Sequence, residues 1–193
     1  MSNPVGASTC VLDRAFPPDA IAYLNELAAA QEAGAETGAI QRTDQARAID
    51  RHVRRSRISW LEDTRANQPI YELIGVLAGR ANQQVFKFEL TGLEEPAQLA
   101  TYRAEEKGHY GWHVDIGAGR LTRRKISLVV PLTDPSTYEG GAFELFYDSE
   151  PTVVEMPLGR VVMFPSHVLH RVRPLTRGLR RSLSIWISGP PFR

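Results

Sequence analysis

The chain has 193 residues, of which 42% are hydrophobic and 23% are charged, and its formal net charge is +1. This size suits one domain with a substantial core, and the near-neutral charge argues against a general nucleic-acid binder. No apolar stretch approaches the roughly 20 residues needed to cross a bilayer. The single cysteine, Cys10, cannot form an internal disulfide, and Met1–Cys10 lacks the pattern of a signal peptide. We therefore expect a cytoplasmic protein with no membrane and no nucleic-acid partner.

The first half of the chain has helical periodicity. A proline pair before Asp19 is a helix start signal, and apolar residues recur at helical spacing from there towards Gly34. Residues 34–49 are polar and contain glycine, so they predict a loop. A second helical stripe of apolar residues follows Pro69. Residues 1–84 are therefore expected to be mainly helical.

The second half changes to short β-type runs separated by turn residues. The predicted strands are Val85–Leu90, Gln98–Arg103, Tyr110–Val114, Lys125–Leu132, Ala142–Tyr147, Thr152–Met156, Arg160–Phe164, Val168–Arg173 and Arg180–Ser188. Many short strands at this spacing favour a β-sandwich or barrel over a doubly wound sheet. We expect a single domain over residues 1–193, in which the helices of 1–84 cover one face of a β core formed by 85–193.

Two potential metal ligands lie two residues apart in one predicted strand. Because side chains alternate along a strand, His113 and Asp115 share a face. His170 is our candidate for a third ligand from a distant strand, and His167 competes with it but follows a turn signal. Two histidines and one carboxylate leave coordination positions open, which suits non-haem iron(II) that must also bind oxygen and a co-substrate. His109 lies near the pair, in a predicted loop.

The last predicted strand has one polar and one apolar face. Its polar face carries Arg180, Ser182, Ser184 and Trp186, and its apolar face carries Leu183, Ile185 and Ile187. We expect the apolar face to pack on the helices and the serine face to line a polar cavity. Arg180 is suited to a bidentate carboxylate clamp there, whereas Arg181 faces the other way. The alternative is a solvated arginine at the end of a strand.

These motifs resemble a known family. His113-Val114-Asp115, the turn Tyr138-Glu139-Gly140-Gly141 and the segment from Phe164 to Arg180 are similar, in this order, to the prolyl 4-hydroxylase-like branch of the 2-oxoglutarate/Fe(II)-dependent oxygenases. The resemblance covers roughly residues 98–190. It implies a double-stranded β-helix (jelly roll) flanked by helices, and hence a mainly β fold class. It also implies that His113, Asp115 and His170 bind iron and that Arg180 binds the distal carboxylate of 2-oxoglutarate.

Three aromatic residues are further candidates for the co-substrate pocket. The family often has a tyrosine nine or ten residues before the first histidine, and here Tyr102 lies slightly earlier, so a longer loop at residues 105–108 would preserve its role. Tyr110 fits the family pattern directly, and its side chain could face the cavity or the core. Trp186 matches an aromatic residue beside the family's cofactor pocket, and a packing tryptophan is an equal alternative.

The resemblance implies a dioxygenase that hydroxylates an unactivated C–H bond of an amino acid, a prolyl residue or a related small molecule. It would consume O2 and 2-oxoglutarate and release succinate and CO2, with Fe(II) as the metal and ascorbate as a further candidate cofactor. The related halogenases lack the carboxylate ligand, so Asp115 favours hydroxylation, although desaturation and ring formation use the same ligands. A non-catalytic cupin-like metal-binding or sensor protein is the alternative. A zinc hydrolase would need a general base that the motif does not supply.

The substrate is expected to be a small molecule or a peptidyl amino acid. Specificity should come from loops at the mouth of the β core and from the helical half. The arginine cluster Arg51, Arg54, Arg55 and Arg57 could bind an anionic group of a substrate. A solvated basic surface is the favoured alternative for this cluster.

Overall fold

The computed structural model describes residues 8–38, 40–41, 47–48 and 50–192. Its two α-helices are α1 (Pro18–Ala30) and α2 (Gln68–Ala81), and short 3-10 helices occupy Glu32–Gly34, Gly119–Arg123 and Pro135–Thr137. Both α-helices have proline in their first turn, where the missing N–H leaves no hydrogen bond unmade. Within the described ranges, no helix is long and apolar enough to span a membrane.

The described residues form short strands, which we number in chain order. They are β1 (Cys10–Leu12), β2 (Glu36–Thr37), β3 (Ile40–Gln41), β4 (Arg47–Ala48), β5 (Arg54–Arg55), β6 (Arg57–Leu61), β7 (Gly92–Leu93), β8 (Ala97–Arg103), β9 (His109–His113), β10 (Arg124–Pro131), β11 (Glu139–Gly140), β12 (Phe143–Phe146), β13 (Thr152–Val154), β14 (Val161–Pro165), β15 (Leu169–Val172), β16 (Leu175–Arg177) and β17 (Leu179–Ser188). Eight of the nine predicted strands are confirmed, with ends that differ by one or two residues.

The strands form two main sheets that face each other. The larger sheet has the order β1-β14-β10-β17-β8-β6-β2, with β7 beside β17, and the smaller sheet has the order β13-β12-β15-β9-β5. The strand pairs within both sheets are antiparallel. The pairs β11-β16 and β3-β4 are separate ribbons. This arrangement is the mainly β fold with flanking helices that was expected.

Two apolar clusters lie on the two faces of the larger sheet. The first joins this sheet to the helices and includes Leu24 of α1, Ile74 of α2 and Leu183 of β17. The second fills the space between the two sheets and includes Phe143 and Phe164. Alternate residues of a strand point to opposite faces. One set of β17 side chains therefore packs in the helical core, and the other set faces the space between the sheets.

The segment predicted as the strand Val85–Leu90 has a different structure. Helix α2 runs into a π-helical turn at Asn82–Phe86, and Lys87 ends it with a positive φ of 60°. The side chain of Asn82 donates a hydrogen bond to the carbonyl of Phe88 at 2.8 Å and accepts one from its amide at 2.9 Å. A short apolar run has the same composition in a buried helical end as in a strand, so the pattern alone could not separate them.

The first half contributes strands that were not predicted. β1, β2 and β6 extend the larger sheet and β5 extends the smaller one, so the expectation of a helical support up to residue 84 is corrected in this respect. β2 also lies within the segment 34–49 that was predicted as a loop, in which residues 39, 42–46 and 49 are outside the described part. β1, β2 and β5 have only two or three residues and so no measurable alternation, and their formation depends on the strands beside them. β6 has five residues, but it begins within the arginine-rich stretch and was not recognised as a strand.

Candidate active site

Three potential metal ligands converge at the open end of the space between the sheets. His113 ends β9, Asp115 follows it directly, and His170 lies on β15 with its Cα paired to that of His113. The Nε2 atom of His113 is 3.7 Å from Oδ1 of Asp115, and Nε2 of His170 is 3.5 Å from Oδ2. The potential ligand atoms of the three residues all lie within 4.8 Å of one another. The set could therefore hold one metal ion.

Backbone carbonyls orient both imidazoles. Nδ1 of His113 is 2.8 Å from the carbonyl oxygen of Gly111, and Nδ1 of His170 is 2.9 Å from that of Val168. Because a carbonyl oxygen can only accept, each Nδ1 carries the proton and each neutral ring keeps its lone pair on Nε2. Both lone pairs are therefore on the nitrogen atoms that face Asp115. Hydrogen bonds of this kind commonly fix the orientation of metal-binding histidines.

The Asp115 carboxylate is held from the neighbouring strands. The hydroxyl of Ser127 on β10 donates to Oδ2 at 2.6 Å, and the backbone N–H of Asp115 donates to the carbonyl of Ser166 at 2.9 Å. Burial alone would raise the pKa of Asp115, but His170, His113, Arg124 and the Ser127 hydroxyl outweigh it and lower this pKa to about 2. The group is consequently an anion at neutral pH.

Aromatic rings exclude water from the histidines. The Tyr110 ring is stacked on the His113 ring with 3.4 Å between centroids, and Phe164 contacts His170 edge-on at 4.8 Å. Burial lowers the pKa of His113 well below its usual value, and the neighbouring His170 lowers it further. Burial also raises the pKa of Tyr110 to about 12. Both side chains are therefore neutral at pH 7.

The three residues open into a cavity of about 350 Å³ that the serine face of β17 lines with Arg180, Ser182, Ser184 and Trp186. This confirms the predicted polar face, and the opposite face packs in the helical core as expected. Arg180 is 2% exposed, and its Nη2 atom has no hydrogen-bond partner within the described structure. An unpaired buried donor of this kind is costly unless a ligand accepts from it.

The other aromatic candidates also line the cavity. The Arg180 guanidinium carbon lies 5.5 Å from the centre of the Tyr102 ring, and Tyr110 and Trp186 line the same space. Trp186 is covered by the guanidinium of Arg124, whose carbon is 3.5 Å from the indole centre. Trp186 is thus a packing residue, at 6% exposed, that also borders the cavity.

The competing residues lie elsewhere. His167 is exposed in a turn and contacts Phe192, and His109 begins β9 and contacts the carbonyls of Lys107 and His52. Arg181 points to the opposite face, where its Nη2 is 3.3 Å from Glu32. Each of these residues has a structural partner away from the cavity.

Some residues of the site were not identified from the sequence. Ser127 orients Asp115, and a lone serine in the apolar run of β10 was the signal that could have revealed it. Arg54 was grouped with a solvated basic surface, but it is 5% exposed and lines the cavity. The favoured interpretation of the arginine cluster is therefore wrong for Arg54, because the pairing of β5 with β9 turns this residue inward.

The comparison with protein families identifies the β core. Residues 97–188 match the model of the 2OG-Fe(II) oxygenase superfamily. The match spans the part of the chain from β8 to the end of β17. The resemblance found in the motifs is thereby confirmed. The members of this superfamily use iron(II) and 2-oxoglutarate, and the His113, Asp115 and His170 group lies inside the matched residues.

The chain is also similar to proteins called PKHD-type hydroxylases. The chain is 38% identical over 87 residues to a PKHD-type hydroxylase of Synechococcus sp. strain CC9902, which covers 44% of this chain and 38% of the relative. It is 30% identical over 112 residues to a PKHD-type hydroxylase of Idiomarina loihiensis, which covers 58% of this chain and 51% of the relative. The chain thus spans about half the length, or less, of these relatives.

Solved structures share the fold of the chain, including its helices. A prolyl-4-hydroxylase of Pseudomonas putida matches with a TM-score of 0.72 at 22% identity, covering 94% of this chain and 92% of that one. A prolyl hydroxylase of Trichoplax adhaerens, in complex with a peptide fragment of the hypoxia-inducible factor, matches with a TM-score of 0.77 at 18% identity, covering 94% and 84%. The jelly-roll prediction is confirmed.

Proposed function

We propose that this protein is an Fe(II)- and 2-oxoglutarate-dependent dioxygenase that hydroxylates an unactivated C–H bond. One oxygen atom of O2 would enter the product and the other would enter succinate, with release of CO2. The observation that carries the proposal is that one cavity contains both a possible binding site for a metal cation and a buried arginine that could bind a carboxylate. It contains two histidines and a carboxylate whose potential ligand atoms lie within 4.8 Å of one another, and it also contains the buried guanidinium of Arg180, whose Nη2 has no hydrogen-bond partner among the described residues.

The ligand set fits iron(II). His113 and His170 would bind the metal through Nε2 and Asp115 through a carboxylate oxygen, which leaves open positions for a co-substrate and oxygen. The bound metal would supply the activation of oxygen and the oxidation of the C–H bond. The protein's own contribution is to turn Nε2 of both imidazoles towards the metal position, to keep His113 neutral and to hold Asp115 ionised. Ser127 and the two carbonyl oxygens fix these three side chains in place.

The unpaired Arg180 fits the distal carboxylate of 2-oxoglutarate. Its buried Nη2 donor is available, and a charge-assisted pair of hydrogen bonds to a carboxylate would satisfy it. We assign Tyr102, Tyr110 and Trp186 to the walls that orient the co-substrate and exclude water, since all three line the cavity. The proposal treats the chain as one oxygenase domain, because strands of the first half pair within both sheets.

We propose an amino acid, a prolyl residue or a related small molecule as the substrate class. Support comes from relatives called PKHD-type hydroxylases and from the prolyl hydroxylases among the solved structures. The near-neutral net charge of +1 gives no support to a nucleic-acid substrate. Our expectation of a cytoplasmic location rests on the single cysteine.

The proposal is tested by oxygen uptake and succinate formation with Fe(II), 2-oxoglutarate and ascorbate. Free amino acids and proline-containing peptides would be screened for a product heavier by one oxygen atom in mass spectrometry. Asp115→Ala is expected to abolish succinate formation, because the metal loses its only carboxylate ligand. His167→Ala serves as the matched control, since this exposed histidine lies outside the cavity, and it should retain turnover.

Full turnover by Asp115→Ala would reject the proposed metal site. A wild-type protein that binds divalent metal tightly but consumes neither oxygen nor 2-oxoglutarate would instead favour the cupin-like metal-binding or sensor protein.

A further inference from the structure

Arg54 is one of three buried arginines that line the candidate active site, with Arg124 and Arg180. It is 5% exposed and lines the cavity, beside Tyr110 in the pairing of β5 with β9. Its Nε donates to the hydroxyl of Ser56 at 2.8 Å, and its Nη2 donates to the side-chain carbonyl of Gln98 at 2.7 Å. Its guanidinium carbon lies 4.4 Å from the centre of the Tyr110 ring. These contacts hold the guanidinium in one place.

The backbone packs closely over the far side of this arginine. A Cβ on Gly38 would lie 2.7 Å from Nε of Arg54 and 2.5 Å from the hydroxyl of Ser56, so only glycine fits there. Two of the five N–H donors of the guanidinium are used by Ser56 and Gln98. The remaining donors are available for a ligand on the cavity side.

The charge of Arg54 has no counter-ion in the described part of the chain. Its partners are a hydroxyl, an amide and an aromatic ring, all of them neutral. The buried Arg124, by contrast, makes two contacts of 2.6 Å with the carboxylate of Glu95. A buried cation is costly unless an anion compensates it. Arg54 is therefore suited to bind an anionic ligand.

Neither the metal nor 2-oxoglutarate would supply the anion that compensates Arg54. Among the described residues that line the cavity, the only carboxylate is Asp115, against four arginines: Arg54, Arg120, Arg124 and Arg180. In formal charge, a divalent metal, Asp115, the two carboxylates of 2-oxoglutarate and Arg180 cancel. Glu95 neutralises Arg124, and Arg120 is exposed to solvent. Among the described residues, none that lines the cavity balances the charge of Arg54.

We propose that Arg54 binds a carboxylate of the primary substrate, so that the substrate is a small carboxylic acid such as a free amino acid. This inference rests on the proposed function. The planar fork of arginine matches a carboxylate, and the single unbalanced charge matches one such group. The cavity of about 350 Å³ must also hold 2-oxoglutarate, which leaves room for a compact molecule. An internal prolyl residue of a peptide would leave Arg54 uncompensated.

The test measures equilibrium binding and needs no turnover. Protein loaded with Mn(II) and 2-oxoglutarate would be titrated with free L-amino acids, including L-proline, and with the carboxamide of each. A peptide with blocked termini and an internal proline would be the third kind of probe. The shift of the thermal unfolding midpoint and calorimetry would report binding. We expect at least one acid to bind at least tenfold more tightly than its carboxamide.

Two variants assign this preference to Arg54. Arg54→Gln should weaken binding of the acid at least tenfold and leave the affinity for 2-oxoglutarate unchanged. Gln98→Glu keeps the arginine but adds a carboxylate beside its Nη2, and it should remove the preference in the same way. Arg55→Gln is the matched control, because this neighbouring arginine contacts the carbonyl of Arg51 and lies outside the cavity.

The outcomes separate this inference from the proposed function. If wild-type protein fails to bind Mn(II) and 2-oxoglutarate together, both are overturned. If it binds them but shows no preference for any acid, or binds only the blocked peptide, the assignment of Arg54 alone is overturned. The same holds if Arg120→Gln removes the preference and Arg54→Gln does not. Should Arg54→Gln fail to fold, the Gln98→Glu variant decides.

Discussion

At the scale of single residues, neighbours in the sequence have opposite electrostatic situations. Arg180 and Arg181 lie on opposite faces of β17, because side chains alternate along a strand. Arg181 pairs with Glu32 on the helical side, whereas Arg180 reaches into the cavity with a buried donor that has no partner in the described structure. Arg181 also has one buried nitrogen, Nε, without a partner, but its charge is already paired with Glu32 and it does not line the cavity. Arg180 is therefore the better placed of the two to bind a carboxylate in the cavity.

Replacing Arg180 gives a prediction for 2-oxoglutarate binding. Arg180→Gln should weaken the affinity about 100-fold, since the loss of two charge-assisted hydrogen bonds corresponds to roughly 3 kcal/mol. Arg181→Gln removes the same charge one residue away and should change the affinity less than threefold. Calorimetric titration of the Mn(II)-loaded variants measures both constants. A large effect in Arg181→Gln alone would move the carboxylate clamp to that residue.

At the scale of elements, a tight turn sets the start of β17. Gly178 joins β16 to β17 with φ of +78°, and a Cβ there would lie 2.6 Å from the carbonyl oxygen of Thr137. Its own carbonyl accepts from the amide of Ala104 at 3.1 Å, which ties the turn to the end of β8. Since Arg180 follows two residues later, this turn also governs the position of the clamp.

Gly178→Ala should therefore impair both stability and co-substrate binding. We expect the free energy of unfolding to fall by about 1–3 kcal/mol, because a side chain is strained at this φ and meets backbone. The affinity for 2-oxoglutarate should fall with it as Arg180 moves. Gly75→Ala in α2 is the control, since a Cβ there meets nothing within 4 Å. That variant should be neutral or stabilised by roughly 0.5–1 kcal/mol in denaturant unfolding. Wild-type stability in Gly178→Ala would contradict the role of the turn.

At the scale of the whole molecule, stability and chemistry are divided between the two faces of the larger sheet. The helices pack on one face through residues such as Leu24 and Leu183. The other face meets the smaller sheet and borders the cavity. A defect in the helical core should therefore lower stability without reaching the ligand site directly.

Leu24→Ala tests this division. The side chain is 0% exposed, and its truncation should lower the free energy of unfolding by about 2–5 kcal/mol because a cavity forms in the core. Binding of Mn(II) and 2-oxoglutarate, measured well below the unfolding midpoint, should stay at the wild-type affinity. Glu26→Ala on the exposed side of the same helix should change stability by no more than about 0.5 kcal/mol. Loss of ligand affinity in folded Leu24→Ala would show that the two faces are coupled.

Local sequence patterns were sufficient to predict much of the β core and of the candidate site. The alternation in β17 predicted which face lines the cavity. The spacing of His113 and Asp115 predicted that the two side chains lie close together, which they do, although β9 ends at His113 and Asp115 lies just beyond it. The turn signal before His167 was correct in excluding it from the cavity. Such features depend only on the period of a strand and the chemistry of single side chains, and both are present in a short stretch of sequence.

Other features were decided only by the tertiary structure. Whether Arg54 lies in solvent or in the cavity depends on β9, which is distant in sequence and pairs with its short strand. The contact of Ser127 with Asp115 likewise joins β10 to the segment that follows β9. The strands β1, β2 and β6 form because the larger sheet offers them partners. Burial, pKa and the pairing of short strands are properties of the assembled surroundings. A window of sequence contains the side chain but not the neighbours that determine its environment.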